Sequence, residues 1–307
     1  MLFALALIPV VALLVFIYKR DMREKEPIGL LVGIFFAGMA SIVPAVIVEF
    51  IGMFIAGLLF YYEPFLQSIF LAFLVIGPAE EAGKFLALRL ITWKNKNFDH
   101  SYDAIVYAVC SSLGFACLEN IGYVFDNGIG TALVRMFTSV PGHACFGVLM
   151  GYFYSKAKYA SLTNDKKGYR KNIALSLVVP MVLHGIFDAI LLGGNASGSL
   201  IITGLSLVLW IGYVIVLLVA TFLLVIHASK NDYCIITIPD EAQTQTVYKP
   251  TVVGNWTCSC GHVNQFSFCA MCGQQRPVAD TWHCPSCGTL CTFKFCGNCG
   301  FPKPTAT

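Results

Sequence analysis

The segment at residues 77–84 has the sequence GPAEEAGK and lies within an apolar run that extends from about residue 66 to residue 91. A helix of about 20 apolar residues is long enough to cross the hydrocarbon core of a bilayer. An ionisable side chain at the bilayer centre costs about 2.5–3.5 kcal/mol on insertion scales. Glu80, Glu81 and Lys84 therefore indicate a membrane helix whose charged side chains face the interior of a helical bundle.

Six further apolar runs of similar kind occur along the chain. They cover approximately residues 2–18, 28–58, 102–125, 134–155, 173–192 and 200–227. The 307 residues are 57% hydrophobic and 12% charged, whereas a soluble domain carries about 25% charged residues. This composition excludes an ordinary soluble enzyme, a disordered protein and a basic nucleic-acid-binding protein, so no nucleic-acid partner is expected. It predicts an all-α polytopic protein with about seven transmembrane helices embedded in the lipid bilayer.

The basic residues of the loops indicate an orientation. Twelve Lys and Arg residues lie in three segments, at 19–27, 92–101 and 156–172. Arg135 is the single basic residue in the three intervening loops. Because cytoplasmic loops carry the excess of Lys and Arg, we expect a multi-pass plasma-membrane protein with its N-terminus outside and its C-terminus in the cytoplasm.

The end of the chain has a different composition. Nine of the thirteen cysteines fall within the last fifty or so residues. The sequence therefore predicts a membrane domain at 1–228, a mostly polar linker at 229–255 and a small cytoplasmic domain at 256–307.

This tail contains two similar units, each with two close cysteine pairs followed by glycine. The paired cysteines are Cys258, Cys260, Cys269 and Cys272 in the first unit, and Cys284, Cys287, Cys296 and Cys299 in the second. Glycine permits the tight turn that directs both sulfurs of a pair to one metal, and four thiolates complete a tetrahedral zinc site. Disulfides are the alternative, but a reducing cytoplasm favours metal. We predict two zinc ribbons with two structural zinc ions and a spare thiol at Cys291, and we leave open a cytosolic protein partner for the ribbon surface.

Ionisable residues also occur in the other runs. They are Glu119, His143, His184 and Asp188. With the three charges of residues 77–84 their gross cost is about 20 kcal/mol, so we expect all seven groups to converge inside the bundle. Glu80 and Glu81 are about 100° apart on a helix, and we expect one to hold a water molecule while the other pairs with Lys84.

Two glycine pairs with four-residue spacing predict close helix packing. They are Gly29 with Gly33, and Gly147 with Gly151. Small residues at this spacing allow two helix backbones to approach each other in a membrane.

Glutamate, histidine and aspartate together are the components of a hydrolytic site. A carboxylate in an apolar pocket can take a proton from water, and an imidazole can donate to an oxyanion or transfer a proton. Glu80, His143, His184 and Asp188 are also suitable zinc ligands. The sequence lacks the His-Glu-x-x-His helix of many zinc proteases, and the presence of an active-site metal stays open.

The order of these motifs resembles the PrsW family of intramembrane proteases, which forms a wider group with the CAAX prenyl proteases and bacterial Abi proteins. The motifs are Glu80-Glu81-x-x-Lys84, Phe115-Ala116-x-x-Glu119-Asn120, the single His143 and His184-x-x-x-Asp188, and the segment Lys19-Arg20-Asp21 … Glu26-Pro27 after the first helix is also similar to that family. The resemblance covers about residues 1–228. It implies an intramembrane peptidase whose substrate is a membrane-anchored protein, for example an anti-sigma factor.

The resemblance also implies roles for the motif residues. Glu80 and Glu81 would activate water, and His143 and His184 would stabilise the oxyanion or transfer protons. The residues that would orient them are Glu119, Asn120 and Asp188. The family has been described both as metallopeptidases and as glutamate-dependent, and we favour the glutamate type because the two-histidine zinc signature is absent.

Two other classes of protein are compatible with buried charges. A proton-coupled transporter would use them as a proton relay, but transporters commonly contain inverted repeats, and no matching halves are visible in the sequence. A non-catalytic membrane sensor or scaffold would recruit partners through the zinc ribbons.

Overall fold

A computed structural model of the chain describes residues 2–235, 256–264, 271, 282–288, 290–291, 298–299 and 302. The chain divides into two compact units, Met1–Ile238 and Pro239–Thr307. Three of the predicted zinc ligands, Cys269, Cys272 and Cys296, lie outside the described residues, as does most of the predicted linker.

The first unit is helical through almost all of its described residues. Its helices are α1 (Leu2–Arg20), α2 (Ile28–Ala40), α3 (Ile42–Leu59), α4 (Pro64–Phe70), α5 (Gly77–Thr92), α6 (Asp103–Phe137), α7 (Ser139–Leu162), α8 (Lys166–Ala196) and α9 (Leu200–Lys230). A π-helical turn, Leu71–Ile76, joins α4 to α5.

Six helical stretches of the described residues are long and apolar enough to cross a membrane. One of them, Asp103–Leu162, is 60 residues long and contains both α6 and α7, which the sequence predicts as two separate runs. These stretches confirm the prediction of an all-α polytopic membrane protein.

Helix α6 lies at the centre of the unit. Every residue from Asp103 to Cys117 is buried, because α6 packs against α1, α2 and α7. A Cβ atom at Gly114 would lie 2.0 Å from the carbonyl oxygen of Phe35 on α2. Only glycine allows this approach of the two helix backbones.

The two predicted glycine pairs have different outcomes. A Cβ atom at Gly151 would lie 2.5 Å from the carbonyl oxygen of Ala104, which confirms a close approach of α7 to α6. The prediction for Gly29 and Gly33 was wrong, since nothing lies within 4 Å of a Cβ atom at either position. The spacing is the same in both pairs, but the face of α2 that packs against α6 is the one with Gly38.

Helix α5 is held close to α8 at its first residue. A Cβ atom at Gly77 would lie 2.9 Å from the carbonyl oxygen of Met181 and 3.2 Å from the amide nitrogen of Gly185. This contact lies one turn before Glu80 on α5 and beside His184 on α8. It therefore sets the distance between these two side chains.

The residues after α9 return to the same end of the helical unit as the loop before α6. The backbone N–H of Ser101 donates to the carbonyl oxygen of Tyr233 at 2.9 Å, and that of Ile235 donates to Asp99 at 2.6 Å. Residues 231–235, which the sequence includes in the linker, thus contact the helical unit.

The described part of the second unit contains two short antiparallel hairpins. Strand β1 (Trp256–Thr257) pairs with β2 (Val263–Asn264), and β3 (Trp282–His283) pairs with β4 (Leu290–Cys291). Gly261 and Gly288 follow the first cysteine pair of each unit and have φ angles of 85° and 71°. These left-handed conformations favour glycine, as the prediction of tight cysteine turns requires.

Candidate active site

The side chain of Lys84 is fully buried between two glutamates of its own helix. Its Nζ lies 2.9 Å from Oε2 of Glu80 and 2.7 Å from Oε1 of Glu81. The expectation that only one of these glutamates pairs with the lysine was therefore wrong. The reason is positional: the two glutamates are four and three residues before Lys84, and its long side chain brings the ammonium group between both carboxylates.

His143 of α7 joins this group through both ring nitrogens. Nζ of Lys84 is 2.9 Å from Nδ1 of His143, and Nε2 of the same ring is 2.9 Å from Oε2 of Glu119 on α6. The ammonium group also lies 4.3 Å from the centre of the Phe115 ring. Three helices thus contribute to one buried charge network.

His184 of α8 lies on the other side of the glutamate pair. Its Nδ1 is 3.0 Å from Oε1 of Glu81, and its Nε2 is 3.5 Å from Oδ2 of Asp188 one turn later on the same helix. The ring stacks on Phe146 with 4.8 Å between the ring centres, and its centre lies 5.4 Å from that of His143. All seven ionisable groups predicted to converge are therefore brought together.

Asn120 occupies a different position from the other predicted site residues. Its Nδ2 donates to the carbonyl oxygen of Ala6 on α1 at 3.0 Å, and its Oδ1 accepts from Nε of Arg135 at 2.9 Å. Nη2 of Arg135 lies 2.9 Å from Oε2 of Glu119. Asn120 thus contacts the network through the arginine.

Arg135 is the residue of this network that sequence reasoning missed. Its guanidinium group bridges Glu119 and Asn120 and lies 4.1 Å from the centre of the Tyr123 ring. The signal that identifies it is its isolation, because it is the one basic residue in loops that otherwise carry none.

A cavity of about 660 Å³ lies beside the network, between α3, α5, α6, α7 and α8. Its charged lining consists of Glu49, Glu80, Glu119, Asp126, Arg135, His143, His184 and Asp188. On α6 before its break at Gly128, where φ is 80°, the lining extends from Phe115 to Asp126, which is about 17 Å at 1.5 Å per residue. About five residues of an extended peptide have this length. Arg135 joins the lining from the part of α6 after the break.

The two adjacent glutamates differ in their relation to this cavity. Glu80 is 5% exposed and belongs to the cavity lining. Glu81 is 0% exposed and lies behind the lining, where Lys84 and His184 contact it. The structure therefore distinguishes two residues that are equivalent in the sequence.

The donor atoms at this site suit a metal ion by type and spacing. One atom each of Glu80, Glu81, His143 and His184 lies within 4.8 Å of the others, and carboxylates and imidazoles are ordinary zinc ligands. Oε2 of Glu81 is buried and has no hydrogen-bond partner among the described residues. However, Glu80, Glu81 and His143 also contact the ammonium group of Lys84.

The described cysteines of the tail include a second cluster that could bind a metal. The sulfurs of Cys284, Cys287 and Cys299 lie within 4.8 Å of one another, and those of Cys284 and Cys299 are 3.5 Å apart. Three of the four ligands predicted for the second ribbon are thus close together.

Buried carboxylates and imidazoles beside a peptide-sized cavity in a polytopic helical bundle define an intramembrane hydrolase. The sequence profile of the family described as "PrsW family intramembrane metalloprotease" matches residues 26–224. The chain belongs to this family, which confirms the resemblance seen in the motifs. It is an intramembrane protease, and the transporter and scaffold alternatives are not favoured.

Several relatives named Protease PrsW are similar to the chain. The relative from Oceanobacillus iheyensis is 39% identical over 204 residues, which cover 66% of this chain and 88% of the relative. The relative from Bacillus subtilis is 36% identical over 183 residues (60% and 79%), and that from Clostridioides difficile is 32% identical over 213 residues (68% and 87%). No solved structure matches the chain. The chain is thus a multi-pass membrane protein, and its family implies a membrane-embedded protein substrate.

Proposed function

We propose that the protein hydrolyses a peptide bond of a membrane-anchored protein, for example an anti-sigma factor, and that Glu80 activates the attacking water. The observation that carries this proposal is the different exposure of the two glutamates. Glu80 lines the cavity, whereas Glu81 is fully buried against Lys84 and His184. Water and a peptide carbonyl in the cavity can reach the first carboxylate and not the second.

In this mechanism Glu80 takes the proton of the attacking water and later delivers it to the leaving amine. Its carboxylate retains one hydrogen bond from Lys84, which keeps it oriented while the cavity side stays accessible. Glu81 holds Lys84 and His184 in place and does not contact the substrate.

His184 donates to the developing oxyanion, and His143 holds Lys84 and Glu119 in place beside it. Both rings line the cavity, and each has a carboxylate beside one or both nitrogens. Asp188 orients His184, and Glu119 orients His143. Asn120 and Arg135 hold Glu119 in turn. Hydrogen-bond donors fixed before the reaction stabilise an oxyanion more effectively than water does.

The position of Lys84 supports a glutamate-dependent mechanism over a metal-dependent one. Its ammonium group already provides a positive charge among Glu80, Glu81 and His143, which is where a cation would bind. Were a metal ion bound there, Glu80, Glu81, His143 and His184 would hold it, and the ion would polarise the carbonyl and the water. The two types differ in metal content: the His143→Ala, His184→Ala double variant should contain as much metal per chain as wild type if the site is of the glutamate type. One equivalent less in the variant would support the metal type.

The function itself is tested by substrate trapping. Membrane proteomes of cells that express wild type or Glu80→Gln are compared for fragments that disappear and for the full-length protein that accumulates. Glu63→Gln, which changes an exposed glutamate, is the matched control and should leave the fragments unchanged. Identical fragment patterns for wild type and Glu80→Gln would contradict the proposal.

For the tail we propose two structural zinc ribbons that face the cytoplasm and bind a cytosolic regulator. The close sulfurs of Cys284, Cys287 and Cys299 and the glycine turns at Gly261 and Gly288 support this proposal. The excess of basic residues in three loops supports an N-terminus outside and a C-terminus inside. A reporter fused after Thr307 should be active only if it is a type that works in the cytoplasm.

A further inference from the structure

Asp21, Glu26 and Asp103 form a second acidic cluster at one end of the helical unit. Asp21 directly follows α1, Glu26 is two positions before the start of α2, and Asp103 is the first residue of α6. The three residues are 1%, 4% and 1% exposed. One carboxylate oxygen of each lies within 4.8 Å of the others.

This cluster is separate from the candidate active site. Glu119 follows Asp103 by sixteen positions along α6, which is about 24 Å along the helix axis. None of the three residues belongs to the lining of the cavity beside Glu80. The mechanism proposed above therefore gives them no role.

Two of the three carboxylates have ordinary hydrogen-bond donors. Oδ2 of Asp103 accepts from the backbone N–H groups of His100 at 2.6 Å and Asp99 at 3.1 Å. Oε2 of Glu26 accepts from the hydroxyl of Tyr107 at 2.5 Å. These bonds hold both side chains in place, and the two carboxyl groups also contact each other.

Asp21 is the exception. Both of its carboxylate oxygens are buried and have no hydrogen-bond partner within the described part of the chain. The nearby Lys25 does not contact them, because its Nζ donates to the backbone carbonyl oxygens of Tyr18 and Asp21. A buried carboxylate normally has a partner, and an unpartnered one that faces two others indicates a missing ligand.

The cluster likewise lacks a cationic side chain in direct contact with its carboxylates. None of the three carboxylates forms an ion pair with a described residue. The nearest ammonium group, that of Lys25, acts on Asp21 through space, since its Nζ donates to backbone carbonyl oxygens and not to the carboxylate. The surroundings therefore leave room for a positive charge.

We propose that Asp21, Glu26 and Asp103 bind a hard divalent cation, Ca²⁺ or Mg²⁺, that joins the end of α1 to the beginnings of α2 and α6. Such cations prefer oxygen ligands, and carboxylates above all. The three ligands come from segments that are distant in sequence, so the ion would bind the folded protein and not the unfolded chain. Binding of this kind stabilises the fold by mass action.

The test uses Tb³⁺, a luminescent substitute for such cations, and the purified full-length protein. Because the Tyr107 hydroxyl contacts Glu26, excitation of tyrosine should produce Tb³⁺ emission that saturates and that Ca²⁺ or Mg²⁺ suppresses. Asp21→Asn should raise the half-saturating concentration about tenfold or more, since affinity depends on the number of charged ligands. Glu63→Gln removes an exposed carboxylate outside the cluster and should leave the half-saturating concentration unchanged.

A second measurement keeps the test decisive if a variant folds poorly. Addition of Ca²⁺ or Mg²⁺ should raise the melting temperature of the wild-type protein, and the rise should be smaller in Asp21→Asn and in Glu26→Gln. The proposal is overturned if wild type shows neither saturable emission nor a rise in melting temperature. It is also overturned if Glu63→Gln weakens binding as much as Asp21→Asn, because the effect would then be one of general charge.

Discussion

The ammonium group of Lys84 lies 2.9 Å from Nδ1 of His143. Lysine offers only donors, so Nδ1 accepts, and the proton of a neutral imidazole is then on Nε2. That nitrogen lies 2.9 Å from Oε2 of Glu119 and donates to it. Lys84 and Glu119 therefore determine the tautomer of His143 from opposite sides of the ring.

The two glutamates should respond differently to replacement by glutamine. Glu80→Gln should reduce cleavage by about 10²–10⁴, the usual contribution of a general base, with a smaller loss of thermal stability than Glu81→Gln, because the Glu80 side chain borders the cavity. Glu81→Gln should reduce cleavage as well, but it should lower the melting temperature more, since Glu81 holds two buried partners. Cleavage in proteoliposomes and melting curves in detergent measure both effects. Full cleavage by both variants would contradict a carboxylate mechanism.

The histidines should be nearly as sensitive as Glu80. His184→Ala should lower the cleavage rate by about 10²–10³, as expected when an oxyanion donor is lost. His143→Ala should lower it as well, because His143 positions Lys84 and Glu119. Asp188→Asn should have a smaller effect, because Asp188 acts through His184 at 3.5 Å. Rates are measured at saturating substrate, so that a change in binding is separated from a change in chemistry. An effect of Asp188→Asn larger than that of His184→Ala would argue against this order of roles.

Lys84 should be essential for stability. Lys84→Met leaves two buried carboxylates without a cation and should cost about 3–5 kcal/mol of unfolding free energy, as when one partner of a buried ion pair is removed. The double variant Lys84→Met, Glu81→Gln removes one of the uncompensated charges and should recover part of the loss. Unfolding in detergent measures the difference, and a double variant less stable than Lys84→Met would contradict the explanation.

The tail should contribute about two zinc ions per chain, bound by four cysteines each. Cys284→Ser should remove about one equivalent, whereas Cys291→Ser should remove none, because Cys291 lies in β4 outside the cysteine pairs. Metal analysis of the purified full-length variants measures the difference. Equal zinc in Cys284→Ser and wild type would speak against the ribbon.

Prediction from sequence succeeded for features that depend on the hydrophobicity and charge of individual residues. Apolar length and composition determine whether a segment crosses a membrane, and the cost of a charge in hydrocarbon determines that Glu80, Glu119, His143 and His184 face the bundle interior. The membrane helices, the convergence of the charged groups and the family resemblance could be established in this way, and the structure and the relatives confirm them.

Only the tertiary structure determined which charged side chains contact one another and which of them border the cavity. The sequence does not specify that Lys84 binds both glutamates, that Glu80 and not Glu81 borders the cavity, or that Arg135 returns from the end of α6 to hold Glu119. Each of these relationships depends on the rotation of a helix about its axis and on its position relative to its neighbours. Those two quantities follow from the packing of backbones at contacts such as Gly114 with Phe35, which involve residues far apart in the chain. For the same reason Gly29 and Gly33 have the spacing of a helix contact without forming one, and the unpartnered carboxylate of Asp21 became visible only when the ends of α1, α2 and α6 were brought together.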